Sequence, residues 1–510
     1  MPLHAEPLVL TPSLRQPGAI LLISCYELGH QPAGITQPLG FLEEAGYAPA
    51  ALDIAVEELD EARLRRARFA GISVPMHTAL RLGVRLAQLI RSLNPECQIC
   101  FYGLYASLNA EYLLEHVADW VIGGEYEAPL VSLIEALDRQ SSSDPSPHTL
   151  RLAPDLQIQG VSRRGRIVQP ILRRPPRHMP VPSRVGLPAL DRYARLERDG
   201  AQRLAGYVEA SRGCLHHCLH CPIVPVYEGR FFVFPQETVL EDIRRQARAG
   251  MAHITFGDPD FLNGPGHSLS IVRAMHAEFP HLTFDFTTKI EHILKQRTLF
   301  PELEALGCLF VISAVESFSD RVLVQLEKGH TRADVITALS IVRQAGTTLR
   351  PSLVAFTPWT TLTDYLEMLD LVEAYDLIDA VDPVQFTVRL LIPPGSALLR
   401  RPGVHRFLGP LDQAGFQYQW THPNPRMDRL HQTVTATVEK AARVGEDAVE
   451  TFSCLRALAC ATADREPPPP LARRASERRR APRLTEPWFC CAEPTEGQFR
   501  LFQTHRHDGA

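Results

Sequence analysis

The sequence of 510 residues has no apolar run long enough to span a membrane. Its longest runs, such as Ala19–Cys25 and Leu309–Val315, have the length of single strands. A basic segment followed by an apolar stretch of signal-peptide length is also missing from the N-terminus, so a cytoplasmic protein without a membrane partner is expected. Charge of one sign is scarce. The 53 Lys and Arg residues against 58 Asp and Glu leave a net charge of −5, spread along the chain. That balance gives no reason to expect nucleic acid. No internal repeat is present. Disulfide-scaffold character is missing too, because the 11 cysteines sit in a long chain and are clustered. In a reducing compartment, clustered cysteines point to metal or redox work. The scattered Cys97, Cys100, Cys308 and Cys454 read instead as small buried hydrophobes.

What is present is a chain too long for one core, with an ordinary globular balance of 45% hydrophobic and 22% charged residues. Strand and helix signals alternate from Ala19 onward. Ala19–Ser24, Ala50–Ile54, Phe69–Val74, Gln98–Tyr102 and Trp120–Ile122 read as strands. Leu39–Ala45, Leu80–Leu93 and Ala128–Leu137 read as helices between and after them. The pattern predicts a parallel, doubly wound α/β domain over 18–138. An Arg- and Pro-rich connector follows over 139–200. A second alternating block then offers Tyr207–Ala210, His253–Phe256, Thr283–Thr287, Leu309–Ala314, Arg350–Ala355 and Val384–Leu391 as six strands. Six βα units predict a partial (β/α)6 barrel over 201–410. Residues 411–465 read as helical, 466–487 as a flexible Pro/Arg linker, and 488–510 as a short tail carrying Cys490 and Cys491.

The most informative stretch is Ser211-Arg-Gly-Cys-Leu-His-His-Cys-Leu-His-Cys-Pro222. It sets Cys214, Cys218 and Cys221 at C-x3-C-x2-C spacing just after the first strand of the second block. Loops at that end of barrel strands carry active sites, and thiolates are the ligands of iron–sulfur clusters. Three protein cysteines leave one iron of a [4Fe-4S] cluster open to a small molecule. The alternative is structural zinc completed by His216, His217 or His220. Zinc sites usually add a second ligand pair at a distance, and no C-x2-C partner lies nearby.

This loop resembles the defining motif of the radical S-adenosylmethionine (SAM) superfamily. The resemblance implies a [4Fe-4S] cluster at Cys214, Cys218 and Cys221, whose open iron is chelated by S-adenosylmethionine and which cleaves it reductively to a deoxyadenosyl radical. It also implies an electron donor such as a flavodoxin or a ferredoxin. In the family, the residue before the last cysteine packs near the adenine, which places His220 there. Ile254-Thr-Phe-Gly-Asp-Pro-Asp-Phe261 is similar to the segment that binds the amino group of the co-substrate and assigns that role to Gly257 and Asp258. Without the cysteines, Asp258 and Asp260 would read as turn residues. Val311-Ile-Ser-Ala-Val-Glu-Ser317 resembles the fourth-strand segment, whose Ser313 and Glu316 would approach the ribose and amino group. Leu391-Ile-Pro-Pro-Gly-Ser396 resembles the end of a sixth strand, although Pro-Pro-Gly is generic turn chemistry.

The N-terminal block resembles the cobalamin-binding-type, Rossmann-like domain that precedes many such barrels, with Gly123-Gly-Glu-Tyr-Glu127 as its closing segment. The Asp-x-His-x-x-Gly signature of a histidine-ligated cobalt is missing. The nearest stretch, Glu27-Leu-Gly-His30, has the wrong spacing. A domain that only frames the active site is therefore preferred over one that binds cobalamin. Cys490-Cys-Ala-Glu-Pro494 resembles the tail of a radical SAM family in which selenocysteine can replace the second cysteine. That resemblance implies redox or nucleophilic work for Cys490 or Cys491. The expected activity is that of a radical SAM enzyme on a substrate the sequence does not name. A cobalamin-dependent methyltransferase and a zinc-holding binding protein stand as the rival readings.

Overall fold

The computed structural model describes residues 13–143, 157–469, 471, 480–486 and 498–499. The first sheet contains Ile20–Ser24 (β1), Ala50–Asp53 (β2), Phe69–Ser73 (β3), Gln98–Tyr102 (β4), Trp120–Ile122 (β5) and Val161–Arg163 (β6). Their spatial order is β2-β1-β3-β4-β5-β6. The first five are parallel, and β6 runs antiparallel to β5. Every residue of β1 and β3 is buried, because helices cover both faces. That explains why these strands read as unbroken apolar runs rather than as alternating ones. The 2-1-3-4-5 order is doubly wound, so ligands are expected at the carboxyl ends of the strands.

The second sheet begins with Arg195–Arg198 (β7), antiparallel to Ala201–Val208 (β8). After β8 come a short antiparallel pair, Ser211–Gly213 (β9) and Phe231–Val233 (β10), then His253–Phe256 (β11), Thr283–Thr288 (β12), Cys308–Glu316 (β13) and Thr348–Leu353 (β14). Strands β8, β11, β12, β13 and β14 run parallel and form a curled half-barrel sheet. A hairpin of Leu408–Asp412 (β15) and Gln417–Trp420 (β16) precedes two helices, Pro425–Val444 and Ala448–Thr462. Last, Arg483–Leu484 (β17) pairs with β7 at the edge of the half-barrel.

Four sequence expectations change. The sixth strand, Val384–Leu391, is a 3-10 turn over Pro383–Phe386 followed by a single parallel bridge between Phe356 and Arg389. Pro383 has no amide to donate, and the Val384 carbonyl accepts from Thr387 locally. The half-barrel therefore has five parallel strands, not six. The start of the segment read as helical is a hairpin end, whose turn is closed by the Asp412 carboxylate accepting from the Ala414 and Gly415 amides. Cys454, read as buried, is exposed on its helix. Strand β17 falls within the segment read as a linker. Among the described residues, no helix is long and apolar enough to cross a membrane.

Candidate functional site

The pair β9 and β10 brackets the cysteine loop, with Gly213 opposite Phe231 and Ser211 opposite Val233. At the entry, the Cys214 amide donates to the Arg230 carbonyl at 3.1 Å. Gly213 has φ +82°, and a Cβ there would lie 2.4 Å from the Arg230 oxygen, so only glycine lets the two arms close. Inside the loop the Cys221 amide donates to the Cys218 carbonyl at 3.1 Å, and the Leu219 amide to the Leu326 carbonyl at 3.0 Å. Cys218 is buried, and Cys214 and Cys221 are partly exposed.

The three thiols are close enough to feel one another's charge. Burial pushes the Cys221 thiol up to about 12 against the Ile223 amide, and Cys218 and Cys214 push the same way. Cys214 is raised as well, chiefly by burial. Thiols kept protonated by burial become ligands when a positive centre displaces their protons.

At the far side of this loop, β13 ends on Glu316, a non-glycine residue at φ +63° where the pairing with β14 slips by one residue. A bulge of this kind re-aims a side chain. The Glu316 carboxylate meets His220 Nε2 at 3.1 Å and Lys328 Nζ at 3.3 Å. Burial alone would raise this carboxyl, but the Lys328 ammonium and His220 outweigh it and hold it at about 2. The Cys218 and Cys221 charges also act on Lys328. Ser313, fully buried on β13, has a hydroxyl without a hydrogen-bond partner. The structure thus brings together His220 and Glu316, which the motifs singled out, and adds Lys328, which no motif announced.

Gly257 and Asp258 follow β11 on the opposite wall. A Cβ at Gly257 would lie 2.1 Å from the Tyr207 ring, so the glycine makes room for that tyrosine. Asp258 turns back to the start of the cysteine loop, accepting from the Ala210 amide at 2.9 Å and from the Ser211 hydroxyl. Burial raises its carboxyl to about 7, with both hydrogen bonds opposing the rise.

Between the two sheets lies a cavity of about 510 Å³. From the first sheet it takes residues just past β1, β3, β4 and β5: His30, Pro75, Leu104 and Tyr126. From the second it takes Cys221, Gly257 and Asp258, so the carboxyl ends of both sheets face the same space. His30 packs against Tyr207 with the rings tilted by 36° and centroids 4.6 Å apart, and burial drives its imidazole down to about 4. Arg212, in the first turn of the motif, ties the two halves together. It pairs with Glu127 at 2.9 Å and Glu125 at 3.6 Å from the first half, and with Glu209 at 2.9 Å from its own. Sequence reading singled out Gly123–Glu127 as a closing segment but not as this arginine's counter-charge.

Cys490 and Cys491 lie outside the described residues. The chain leading to them does reach the cavity: Leu484 and Glu486 line it, and the Tyr26 hydroxyl donates to Glu486 at 3.2 Å. Beyond them, Phe499 packs on the first sheet's core under Arg81, 5.5 Å from the ring centroid.

Residues 208–372 match the radical SAM superfamily. Over 336 residues the chain is 25% identical to hopanoid C-3 methylase of Methylococcus capsulatus, covering 64% of this chain and 62% of that protein. It therefore spans less than two thirds of the length of the curated relatives it matches. Among solved structures it is similar to the cobalamin-dependent S-adenosylmethionine radical enzyme OxsB with aqua-cobalamin bound. The TM-score is 0.64 at 17% identity, covering 83% of this chain and 67% of that one. It is also similar to the radical S-adenosylmethionine methyltransferase TsrM of Kitasatospora setae, bound to cobalamin and a [4Fe-4S] cluster. There the TM-score is 0.54 at 16% identity, covering 70% and 73%. At such identities the likeness is one of fold.

Proposed function

We propose that this chain, whose residues 208–372 are a radical SAM superfamily domain, is an enzyme that cleaves S-adenosylmethionine reductively through a [4Fe-4S] cluster held by Cys214, Cys218 and Cys221. The observation that carries this reading is the cysteine loop itself, clamped by β9 and β10 with Cys221 lining the cavity. When bound, the cluster would pass one electron, drawn from a flavodoxin- or ferredoxin-type donor, to the sulfonium, giving methionine and a deoxyadenosyl radical. The chain's own residues bind and orient. Glu316, kept ionised by Lys328 and His220, offers a carboxylate to an ammonium or a ribose hydroxyl. Ser313 offers an unused hydroxyl from the same strand. Asp258 fixes the first turn of the cysteine loop, and Gly257 keeps that wall flat. The apolar cavity walls exclude water from a reactive intermediate.

The tail belongs to the same reading. The resemblance of Cys490-Cys-Ala-Glu-Pro494 to the tail of the Cys-Cys-Ala-Glu-Pro family, four residues after the cavity-lining Glu486, supports a redox or nucleophilic role for Cys490 or Cys491. Full turnover of a Cys490→Ala/Cys491→Ala variant on the true substrate would remove that role.

A cobalamin-dependent reaction is the second reading. It draws on the interdomain cavity, where the carboxyl ends of the Rossmann-like first sheet face the half-barrel. It predicts a stoichiometric corrinoid in the absorption spectrum of the purified protein.

The test of the main reading is anaerobic. Protein reconstituted with iron and sulfide, then given S-adenosylmethionine and a strong reductant, is expected to release deoxyadenosine, and Cys218→Ala to release none. Bound zinc without acid-labile sulfide would overturn the reading.

A further inference from the structure

Between Cys214 and Cys218 the loop carries His216, which none of the roles above uses. Its Nε2 lies 3.6 Å from Asp260 Oδ2, and His292 Nδ1 lies 2.8 Å from the same oxygen. The two imidazoles are 4.8 Å apart between centroids. His216 Nε2, Asp260 Oδ2 and His292 Nδ1 are all buried, and none of them makes a hydrogen bond. Close as it is, the His292 nitrogen does not aim an N–H at the carboxylate. Ligand atoms of these three residues fall within 4.8 Å of one another, and among the described residues they form the one such group.

Asp260 is fully buried and oriented from behind. Its Oδ1 accepts from the Thr288 hydroxyl at 2.6 Å and from the Leu262 amide at 3.2 Å. Those bonds leave Oδ2 directed at the two histidines. A bare carboxylate oxygen and two bare imidazole nitrogens, each withdrawn from solvent, are costly unless something fills the space between them. An ordinary Asp–His pair needs one imidazole and satisfies it with an N–H. Here two imidazoles converge on one oxygen and neither donates.

We propose that His216, Asp260 and His292 form a second metal site, for a divalent first-row transition ion, separate from the three cysteines. Two imidazoles and one carboxylate suit zinc or ferrous iron and leave coordination positions open for water. Behind the ring, Lys289 Nζ donates to His216 Nδ1 at 3.2 Å and pairs with Glu291, whose Oε2 lies 3.6 Å from the same nitrogen. An ion held through Nε2 would put the proton on Nδ1, where Glu291 Oε2 would accept it in place of the Lys289 contact. None of the three ligands lines the interdomain cavity. The ion would instead tie the cysteine loop to the turn after β11, which carries Asp260, and to the helix Ile290–Lys295 after β12, which carries His292. The site does not depend on the cysteine loop holding a cluster.

The test separates this site from the cysteines. Untagged full-length Cys214→Ala/Cys218→Ala/Cys221→Ala protein is dialysed against Zn²⁺, and bound zinc is counted per chain. One zinc is expected, and adding His216→Gln or His292→Gln should weaken binding at least about tenfold. No zinc in the triple variant, or zinc retained unchanged by both histidine variants, would overturn the proposal. If the triple variant does not fold, zinc-edge X-ray absorption of the zinc-exposed, cluster-reconstituted protein decides. A shell of nitrogen and oxygen alone supports the site. Sulfur in the shell, or no zinc at all, overturns it.

Discussion

Lys328 Nζ stands 3.3 Å from Glu316 Oε1, and both side chains are almost entirely withdrawn from solvent. Neither charge would be tolerated there without the other. Removing one partner of such a pair costs about 3–5 kcal/mol, because the survivor is left buried and uncompensated. Lys328→Met should therefore lower the unfolding free energy by about that amount in urea titration. Glu316→Gln/Lys328→Met should recover much of the loss. The sign with pH follows from the depressed Glu316 carboxyl at about 2. Its stabilisation is complete above the ordinary glutamate value and disappears as pH falls from about 4 toward 2.

Asp258 behaves in the opposite way. Its carboxyl at about 7 lies above the unfolded value of about 3.9. Between those values the folded chain holds a proton that the unfolded chain has lost, so this group makes the protein less stable as pH rises from about 4 to about 7. Asparagine can keep an acceptor for the Ala210 amide and carries no charge at any pH. Asp258→Asn should gain stability relative to the parent as pH is raised from 5 to 8. Parallel unfolding curves with no widening gap would contradict the assignment.

Ser313 separates packing from binding. Its buried hydroxyl has no partner, so Ser313→Ala should leave the melting temperature unchanged or slightly higher. If the hydroxyl serves S-adenosylmethionine, the same change should weaken binding by about three- to tenfold, the worth of one hydrogen bond. Equilibrium dialysis of the cluster-loaded protein reads that loss. Unchanged affinity would take Ser313 out of the site.

Arg212 is surrounded by three carboxylates, two of them from the first half of the chain. Arg212→Met should destabilise by about 3–5 kcal/mol. Arg212→Lys should recover only part, since one ammonium cannot span acceptors that the guanidinium reaches with separate nitrogens. Limited proteolysis should show earlier cleavage between the two sheets in both variants.

Much of the architecture was legible because parallel strands buried on both faces must be apolar throughout. Strands β3, β4 and β5 fall within a residue of their sequence expectations for that reason. The cysteine spacing was legible because ligand spacing is written locally. Tertiary choices were not. Val384–Leu391 has the composition of a strand, yet Pro383 and a local carbonyl turn it into a 3-10 bend. Lys328 and Arg212 carry no motif, and their importance comes only from the acids that other elements bring to them. His216 could be listed as a candidate zinc ligand with the cysteines. Its partners, Asp260 and His292, lie on later turns that no sequence spacing connects to it.

Strand β17 pairs with β7 across a gap of 286 residues, fastened further by Arg483 on Glu197. During synthesis the outer backbone of β7 therefore leaves the ribosome long before its neighbour exists. For that interval the half-barrel presents a bare strand edge, able to recruit the wrong chain. The two residues that finally cover it also bring Glu486 to the cavity rim. Sealing the sheet and completing the cavity wall are thus one event, and it comes late in the chain's manufacture.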